Sequence, residues 1–373
     1  MYREIAQQIK KIIKKPGSRI ILLLGLRQTG KTTLVKTICE KEKHQIFNFD
    51  IISDRKEFTQ NDRYSLADFY ERFKNKIIVI DEIQKMSEAT QTIKYLYDQY
   101  KMKFILTGSS ELKIKQNFGD SLAGRLRIFR LYPLSIKEIL VQEKKIKENK
   151  TPDYELSQSK LQKYLIYGSL PAIENMDFEE YPLFLRDFTE TLLSKDILEI
   201  SGIKKSTKIY LLLKFLAMQV GQLVNVNELS SLTEISRPSI YNYLDILEKM
   251  NIIIYARPIS TNERRAISEK FKIYFTDLGI RNFLINNFES FNIRIDRGAL
   301  LENATYVGIK RKLDYEGKIY KMGFFRSKTG SEIDIVIKVA DKEYLYEVKS
   351  AKKFLLKKGN VEYITLENIW KYF

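Results

Sequence analysis

The segment Gly25-Leu-Arg-Gln-Thr-Gly-Lys-Thr32 constrains the fold of this chain more than any other. It lies between an apolar run, Ile20–Leu24, and a segment with helical periodicity, Thr32–Glu40. A strand, a glycine-containing loop and a helix in this order form a phosphate-binding loop, because the glycines let the backbone approach phosphates without a Cβ in the way. The loop N–H groups and the positive end of the helix then face a polyanion. We therefore predict nucleotide binding; the alternative is a glycine-rich turn without a ligand.

The residues of this loop have individual predicted roles. Lys31 is expected to contact the β- and γ-phosphates, and the hydroxyl of Thr32 is expected to bind Mg²⁺. The predicted cofactors are accordingly ATP and Mg²⁺. The residues expected to line the nucleotide are Gly25, Arg27, Gln28, Thr29, Gly30, Lys31, Thr32 and Thr33.

A second signature follows the apolar run Ile77–Ile80, where Asp81 and Glu82 stand side by side. At the carboxyl end of a strand, Asp81 is placed to hold Mg²⁺, and Glu82 is placed to orient and deprotonate the attacking water. A carboxylate at position 82 favours hydrolysis over binding alone. The alternative is that the two acids only end a strand and cap a helix.

Two hydroxyl groups and one arginine complete the predicted ATPase site. Thr107 and Ser109 follow a further strand, Lys103–Leu106, and are either sensors of the γ-phosphate or helix caps. Arg125 is a candidate arginine finger or an ordinary surface arginine. A finger that acts on a neighbouring subunit would imply a homo-oligomer.

Strands and helices alternate along residues 1–150, which predicts an α/β fold with the parallel sheet of a phosphate-loop NTPase. A run of charged residues between positions 141 and 152 marks the end of this domain. Residues 151–204 are predicted to form a helical lid or linker, because their apolar residues recur at helical spacing.

Residues 205–285 are predicted to form a winged-helix domain, with three helices followed by strands at 251–257 and 270–275. Its third helix would present a polar set of side chains to a major groove: Arg237, Ser239, Tyr241 and Asn242. Winged helices also serve as spacers and protein-docking modules. DNA binding by this helix is therefore one of two alternatives.

The composition limits the classes of function. Lys plus Arg number 64 against 47 Asp plus Glu, a formal net charge of +17, which favours nucleic acid as a partner unless it reflects a general lysine bias. A single His and a single Cys argue against a zinc site and a Cys–His pair. With Cys39 alone and no apolar run long enough to span a bilayer, we expect a cytoplasmic protein without membrane contact.

These motifs resemble a family of bacterial and archaeal ATPases in which an AAA-type domain precedes a domain of unknown function numbered 4143. The resembling segments extend over nearly the whole chain: Gly25–Thr33, Ile80–Gln84, Leu106–Ser110, Ser121–Arg125, Tyr167–Pro171, Gly298–Asn303, Arg326–Asp334 and Tyr346–Ser350. The resemblance implies an ATPase domain joined to a winged helix and, in residues 286–373, a small α/β domain similar to restriction endonucleases.

The C-terminal domain carries the Asp…Glu-X-Lys pattern of that superfamily in Asp334, Glu347 and Lys349. Glu347 and Lys349 are two residues apart on a strand and so share a face. With Glu302 as a third carboxylate, such a group binds Mg²⁺ while the lysine polarises water. The alternative is an edge strand with solvated charges. Only residues 350–373 follow, where family members carry another helix and strand, so we expect a truncated nuclease core.

Three functions are consistent with these patterns. The preferred hypothesis is Mg²⁺-dependent ATP hydrolysis coupled to an activity on nucleic acid. The second is an ATP-controlled switch that hydrolyses slowly and docks a protein partner. The third is a DNA nuclease regulated by ATP.

Overall fold

The chain forms two compact units, Met1–Tyr132 and Pro133–Phe373. The computed structural model describes residues 1–59, 62–109, 122–197, 206–259, 271–327, 331–350 and 360–372.

The first unit alternates helices with strands. In chain order its elements are α1 (Ile5–Ile13), β1 (Ile20–Leu24), α2 (Lys31–Cys39), β2 (His44–Asn48), α3 (Ile52–Lys56), α4 (Arg63–Phe73), β3 (Ile77–Asp81), a 3₁₀ turn (Ile83–Lys85), α5 (Ala89–Tyr100), β4 (Lys103–Gly108) and β5 (Leu126–Arg130).

The five strands of the first unit form one parallel sheet in the order β2-β3-β4-β1-β5. The register pairs Leu23 with Thr107 and Ile80 with Leu106, so the carboxyl ends of β1, β3 and β4 meet at one edge. Every residue of β1 and β3 is buried, as expected for strands covered on both faces. The predicted α/β fold with a parallel sheet is confirmed.

The second unit begins with helices and ends with a small sheet. Its elements are α6 (Ile136–Gln142), α7 (Tyr154–Tyr167), 3₁₀ turns (Pro171–Asn175 and Phe178–Glu180), α8 (Tyr181–Thr191), a π-helical turn (Leu192–Ile197), α9 (Ser206–Met218), α10 (Val226–Thr233), α11 (Arg237–Lys249), β6 (Ile253–Pro258), β7 (Lys272–Phe275), α12 (Leu278–Leu284), α13 (Arg297–Glu316), β8 (Lys321–Arg326), β9 (Glu332–Val339), β10 (Lys342–Val348), β11 (Val361–Ile364) and a 3₁₀ turn (Ile369–Tyr372).

The strands of the second unit form one six-stranded sheet in the order β11-β10-β9-β8-β6-β7. β6 and β7 form an antiparallel pair, and β6 also pairs with β8, so the sheet spans position 285, where the sequence suggested a domain boundary. β11 pairs with β10 in parallel. The residues after Lys349 therefore include a further strand, where the sequence suggested only a short tail.

Asp277 fixes the loop between α7 and the first 3₁₀ turn of the second unit. Its carboxylate caps α12 by accepting hydrogen bonds from the N–H groups of Gly279 and Ile280, and it accepts another from Ser169 N–H at 2.8 Å. Gly168 has φ +76°, and a Cβ there would collide with the Asp277 carboxylate. Burial raises the pKa of Asp277 to about 6, although the three N–H groups oppose this shift. The buried carboxyl group of Asp277 therefore joins the Tyr167–Pro171 segment to α12 through these hydrogen bonds.

Asp277→Asn is expected to change the pH dependence of folding. Because the folded-state pKa of Asp277 lies above its unfolded value, the folded chain binds this proton more tightly, and the contribution to stability is lost as pH rises through about 6. Between about pH 7 and about pH 4, the wild type should gain about 2 kcal/mol of unfolding free energy relative to the variant. Denaturant unfolding of both proteins across pH measures this difference.

Asp62→Asn provides the control, because Asp62 also caps a helix, α4, but is exposed. The hydrogen bond from the Ser65 hydroxyl lowers the pKa of Asp62, so its contribution to stability is lost as pH falls. The two variants should therefore deviate from the wild type in opposite directions. Parallel curves would contradict the burial effect assigned to Asp277.

Candidate active site

The loop between β1 and α2 has the backbone geometry that phosphate binding needs. Gly25 packs so closely that a Cβ there would lie 2.6 Å from the carbonyl oxygen of Leu131. Gly30 has φ +87° and is the N-cap of α2 without a side-chain hydrogen bond to the helix. The first N–H groups of α2 therefore have neither an intrahelical acceptor nor an N-cap side chain, which makes this helix end suited to an anion.

Lys31 directs its ammonium into the loop. Its Nζ donates hydrogen bonds to the carbonyls of Gly25 at 2.9 Å and Leu26 at 3.1 Å, and the side chain is buried. Thr29 is also buried and donates its hydroxyl to Leu26 at 2.8 Å. The positive charge is thus held inside the loop, where the phosphates of a nucleotide are expected.

Asp81 connects the loop to two strand ends. Its carboxylate accepts a hydrogen bond from the hydroxyl of Thr32 at 2.8 Å and another from the hydroxyl of Thr107. This contact is possible because β4 lies between β1 and β3 in the sheet. Hydroxyl and carboxylate oxygens are ligands that Mg²⁺ accepts, so Thr32 and Asp81 fit the ion by their chemistry and their proximity.

Glu82 follows Asp81 in a left-handed backbone conformation, with φ 56° and ψ 47°. This conformation is uncommon for a residue other than glycine and occurs often at functional sites. The Glu82 N–H donates to Thr107 Oγ1 at 3.4 Å, and its half-buried carboxylate accepts a hydrogen bond from Gln84. Gln84 also donates to Ser109 Oγ at 3.3 Å. The structure therefore places Thr107 and Ser109 beside Glu82.

Gln84 has no role in the sequence interpretation, although it stands two residues after Glu82. The only sequence signal for it is this spacing within a turn.

The remaining predicted loop residues differ in exposure: Gln28 and Thr33 are exposed, and Arg27 is half-buried.

The position of Arg125 corrects the prediction that it acts as an arginine finger within its own subunit. Its carbonyl accepts a hydrogen bond from the N–H of Ile20, the first residue of β1, at 2.9 Å. The loop follows the other end of β1, about 16 Å away at about 3.3 Å per residue. The guanidinium instead forms two hydrogen bonds of 2.8 Å with Asp98. Arg125 stands just before β5, and the parallel pairing of β5 with β1 places it at the amino edge of the sheet. Ser110, the last residue of the segment Leu106–Ser110, and Ser121, the first residue of Ser121–Arg125, lie outside the described residues.

Arg3 contacts the loop from the N-terminal segment, and the sequence interpretation missed it. Its side chain is only 1% exposed and donates hydrogen bonds to the backbone carbonyls of Thr29, at 3.4 Å, and Tyr132. A buried arginine that binds loop carbonyls fixes the position of the loop. No local sequence pattern predicts it, since the contacts join residues far apart in the chain.

The C-terminal carboxylates surround a buried lysine. Lys272 on β7 is 2% exposed, and its ammonium lies 2.9 Å from Glu302 and 2.6 Å from Glu332. Burial opposes its charge, but Glu302 and Glu332 outweigh this effect and raise the pKa of Lys272. Tyr274 donates its hydroxyl to Glu302 at 2.6 Å.

Asp334 lies close enough to this group that its charge helps to raise the pKa of Glu302. Burial raises the pKa of Glu302, and it also raises that of Asp334, which accepts the Val348 N–H at 2.8 Å. Glu347 is buried and pairs with Lys349 at 3.2 Å. Across the described parts of the chain, no group of three or more His, Cys, Asp or Glu residues is arranged to hold a metal ion. Among the predicted Mg²⁺ ligands, Glu302 thus pairs with Lys272, and Glu347 pairs with Lys349.

The third helix of the predicted winged helix is α11. Arg237, Tyr241 and Asn242 are exposed on it and Ser239 is half-buried. The Arg237 guanidinium donates to Asn227 of α10 at 3.1 Å. This face is open, but Arg237 is the one basic residue among the four.

Comparisons with known proteins support the ATPase domain. The sequence profile of an AAA domain matches residues 17–140, that of a domain of unknown function, DUF8612, matches residues 158–290, and that of DUF4143 matches residues 297–359. An uncharacterized protein of Methanocaldococcus jannaschii is 27% identical over 356 residues, covering 85% of this chain and 74% of that protein. One from Haemophilus influenzae is 25% identical over 349 residues, covering 88% and 81%.

Among solved structures, a Walker-type ATPase of Pyrococcus abyssi matches with a TM-score of 0.48 and 17% identity, over 76% of this chain and 95% of that chain. In the parts of the chain that the structure describes, no helix has the length and apolar character to cross a membrane. The two profile matches show that the chain carries an AAA domain and a DUF4143 segment, as the resemblance implied.

Proposed function

We propose that this protein binds ATP with Mg²⁺ and hydrolyses it, and that hydrolysis is coupled to an activity on nucleic acid. The pair of hydrogen bonds from Thr32 and Thr107 to Asp81 carries the ATPase proposal. They unite the phosphate loop and the ends of two strands in a single site. The match of residues 17–140 to an AAA domain supports the same chemistry.

The residues of the loop bind and orient the triphosphate. The ammonium of Lys31 exchanges the carbonyls of Gly25 and Leu26 for phosphate oxygens, which are stronger acceptors because they are charged. The N–H groups at the start of α2 hold the same phosphates. Thr32 and Asp81 would hold Mg²⁺, which when bound neutralises charge on the β- and γ-phosphates.

Glu82 is the group that orients the attacking water and accepts its proton. Its left-handed backbone projects the side chain beyond the end of β3, next to Thr107 and Ser109. The amide of Gln84 holds the carboxylate in a fixed position before the reaction. Positioning of this kind is most of what a protein contributes to phosphoryl transfer.

The proposed coupling to nucleic acid is supported by charge. The net charge of +17 favours binding to a polyanion, and the exposed face of α11 has the position of a groove-reading helix in the predicted winged-helix arrangement.

Substitutions of Lys31 and Glu82 should separate binding from hydrolysis. Lys31→Ala should remove both nucleotide binding and phosphate release, because the loop loses the ammonium group that is held inside it. Glu82→Gln should retain ATP binding but reduce turnover by about 10²–10⁴-fold, the usual contribution of a general base. Phosphate release and calorimetric titration with ATP and Mg²⁺ measure the two effects. Wild-type turnover near zero with tight nucleotide retention would contradict hydrolysis and favour the switch hypothesis.

Arg125→Ala tests the corrected position of this residue. Since its guanidinium pairs with Asp98 at the edge of the sheet away from the loop, the variant should hydrolyse ATP within about threefold of the wild type, whereas loss of an arginine finger costs about 10³–10⁵-fold. Turnover should be measured over a range of protein concentrations. A large loss together with concentration-dependent wild-type turnover would show that Arg125 acts on a neighbouring subunit.

Arg3→Met should weaken nucleotide binding through the loop. The variant removes the hydrogen bonds to the carbonyls of Thr29 and Tyr132, so the loop loses a fixed support and the KM for ATP should rise about tenfold, the effect of about 1.4 kcal/mol. Arg19→Met is the matched control, because Arg19 is exposed before β1. Equal KM values for the two variants, with the Arg3 variant folded by thermal unfolding, would contradict a positioning role.

A further inference from the structure

Three lysine pairs precede three strands of the first unit with the same spacing. Each pair has the form Lys-X-Lys, and its second lysine stands immediately before the strand or is its first residue. The pairs are Lys41 and Lys43 before β2, Lys74 and Lys76 before β3, and Lys101 and Lys103 at the start of β4.

The register of the sheet brings these three pairs together. His44 pairs with Ile77, and Ile77 pairs with Lys103, so β2, β3 and β4 begin at the same level and are adjacent in the sheet. Neighbouring strands lie about 4.8 Å apart, and the three pairs therefore form a lysine row about 10 Å wide. This row lies at the amino ends of the strands, the edge away from the phosphate loop.

The lysine row borders a cleft of about 490 Å³. Of the residues that line this cleft, seven are lysines, with Lys14 of α1 as the seventh, and one is acidic. The acid, Glu42, is already paired with Lys14 at 2.9 Å, and this ammonium lowers the pKa of Glu42. The cleft therefore has a large excess of positive charge.

Within the described ranges, Lys14 pairs with Glu42 and Lys74 pairs with Glu71, whereas the other five lysines of the cleft form no ion pair. Lys76 and Lys101 lie over the rings of Phe73 and Tyr97, at 5.2 and 5.7 Å from their centroids. Unpaired ammonium groups at this spacing repel each other and cost folding stability, so their arrangement fits an external anion better than a structural role.

We propose that the lysine row and its cleft bind the phosphate backbone of a nucleic acid without regard to sequence. This proposal rests on the function proposed above, from which it takes nucleic acid as the class of partner, and it adds a binding site. Ammonium groups spread over three strands match a chain of phosphates that repeats about every 3.4 Å along each strand of a duplex, whereas one small anion would contact only one pair. Lysines act here as point charges, which favour phosphate contact over base reading.

The lining of the cleft favours nucleic acid over an acidic protein surface. The apolar lining residues Ile13, Ile77 and Met102 are buried, and Phe73 is half-buried with the Lys76 ammonium over its ring, so none of the four is an exposed apolar anchor of the kind that dominates protein interfaces. Tyr70 and Tyr100, also in the lining, are half-buried and stack on each other with ring centroids 4.3 Å apart. Aromatic rings beside a basic groove provide a stacking surface for bases of a single strand.

The test is the binding of a fluorescently labelled oligonucleotide, single-stranded or duplex, to the full chain without nucleotide, followed by anisotropy over a range of salt concentrations. The variant Lys41→Gln/Lys43→Gln/Lys101→Gln removes three exposed lysines that form no ion pair in the described ranges, namely the two that precede β2 and one that precedes β4. Its affinity should fall at least about tenfold at about 0.1 M salt, and the slope of log Kd against log salt should decrease by about 2 for a single strand.

The matched control is Lys147→Gln/Lys150→Gln/Lys342→Gln, which removes the same charge from exposed positions in the second unit. Equal losses in the two variants, or unchanged affinity in the cleft variant, would overturn the proposal. Displacement of the oligonucleotide by polyglutamate as effectively as by unlabelled DNA would exclude nucleic acid as the specific partner, and displacement by inorganic phosphate alone would indicate a small-anion site.

Turnover of ATP by the same cleft variant separates this inference from the proposed ATPase. The variant should retain wild-type phosphate release without DNA, because it changes no residue of the phosphate loop. Loss of DNA binding with normal turnover supports the lysine row. Intact, cleft-dependent DNA binding by a wild type that does not hydrolyse ATP would overturn the ATPase proposal alone.

Discussion

The parallel register of β1, β3 and β4 is the constraint on which the first unit depends. Because these strands end at the same level, the loop after β1, Asp81 at the end of β3 and Thr107 on β4 meet within hydrogen-bonding distance. A shift of β4 by a single residue would turn Thr107 to the other face of the sheet and break its bond to Asp81. The apolar strand interiors that fix this register are therefore as necessary to the site as the polar residues at its edge.

The parts of the site that the sequence predicts are those encoded locally. The loop is recognisable because Gly25, Gly30 and Lys31 stand within a few residues of each other, and Asp81 with Glu82 directly follows an apolar strand. Their meeting could also be predicted, since carboxyl ends of parallel strands share an edge. The close approach of Leu131 to Gly25 then explains, after the fact, why that position has no side chain.

The parts that the sequence did not predict depend on contacts between distant residues. Arg125 seemed near the site, but the pairing of Ile20 with the start of β5 places it at the other edge. Lys272 stands in a strand of the predicted wing, and only the joining of β6 to β8 brings that hairpin to Glu302 and Glu332. Burying the ammonium of Lys272 without a partner would cost free energy, and the carboxylates of Glu302 and Glu332 compensate for this cost. The sequence pattern identifies the carboxylates, but it does not identify Lys272 as the cation that they surround.

The two edges of the parallel sheet differ in the kind of group that each offers to phosphates. At the carboxyl edge, backbone N–H groups and the buried ammonium of Lys31 lie within one loop. At the amino edge, exposed and half-buried lysines line an open cleft. The strands separate the edges by about 16 Å, which exceeds the Debye length of about 8 Å at physiological salt, so the lysine row neither attracts ATP to the loop nor competes with it. Salt therefore weakens the second kind of binding far more than the first, and any coupling between the edges has to pass through movement of β3 and β4 themselves.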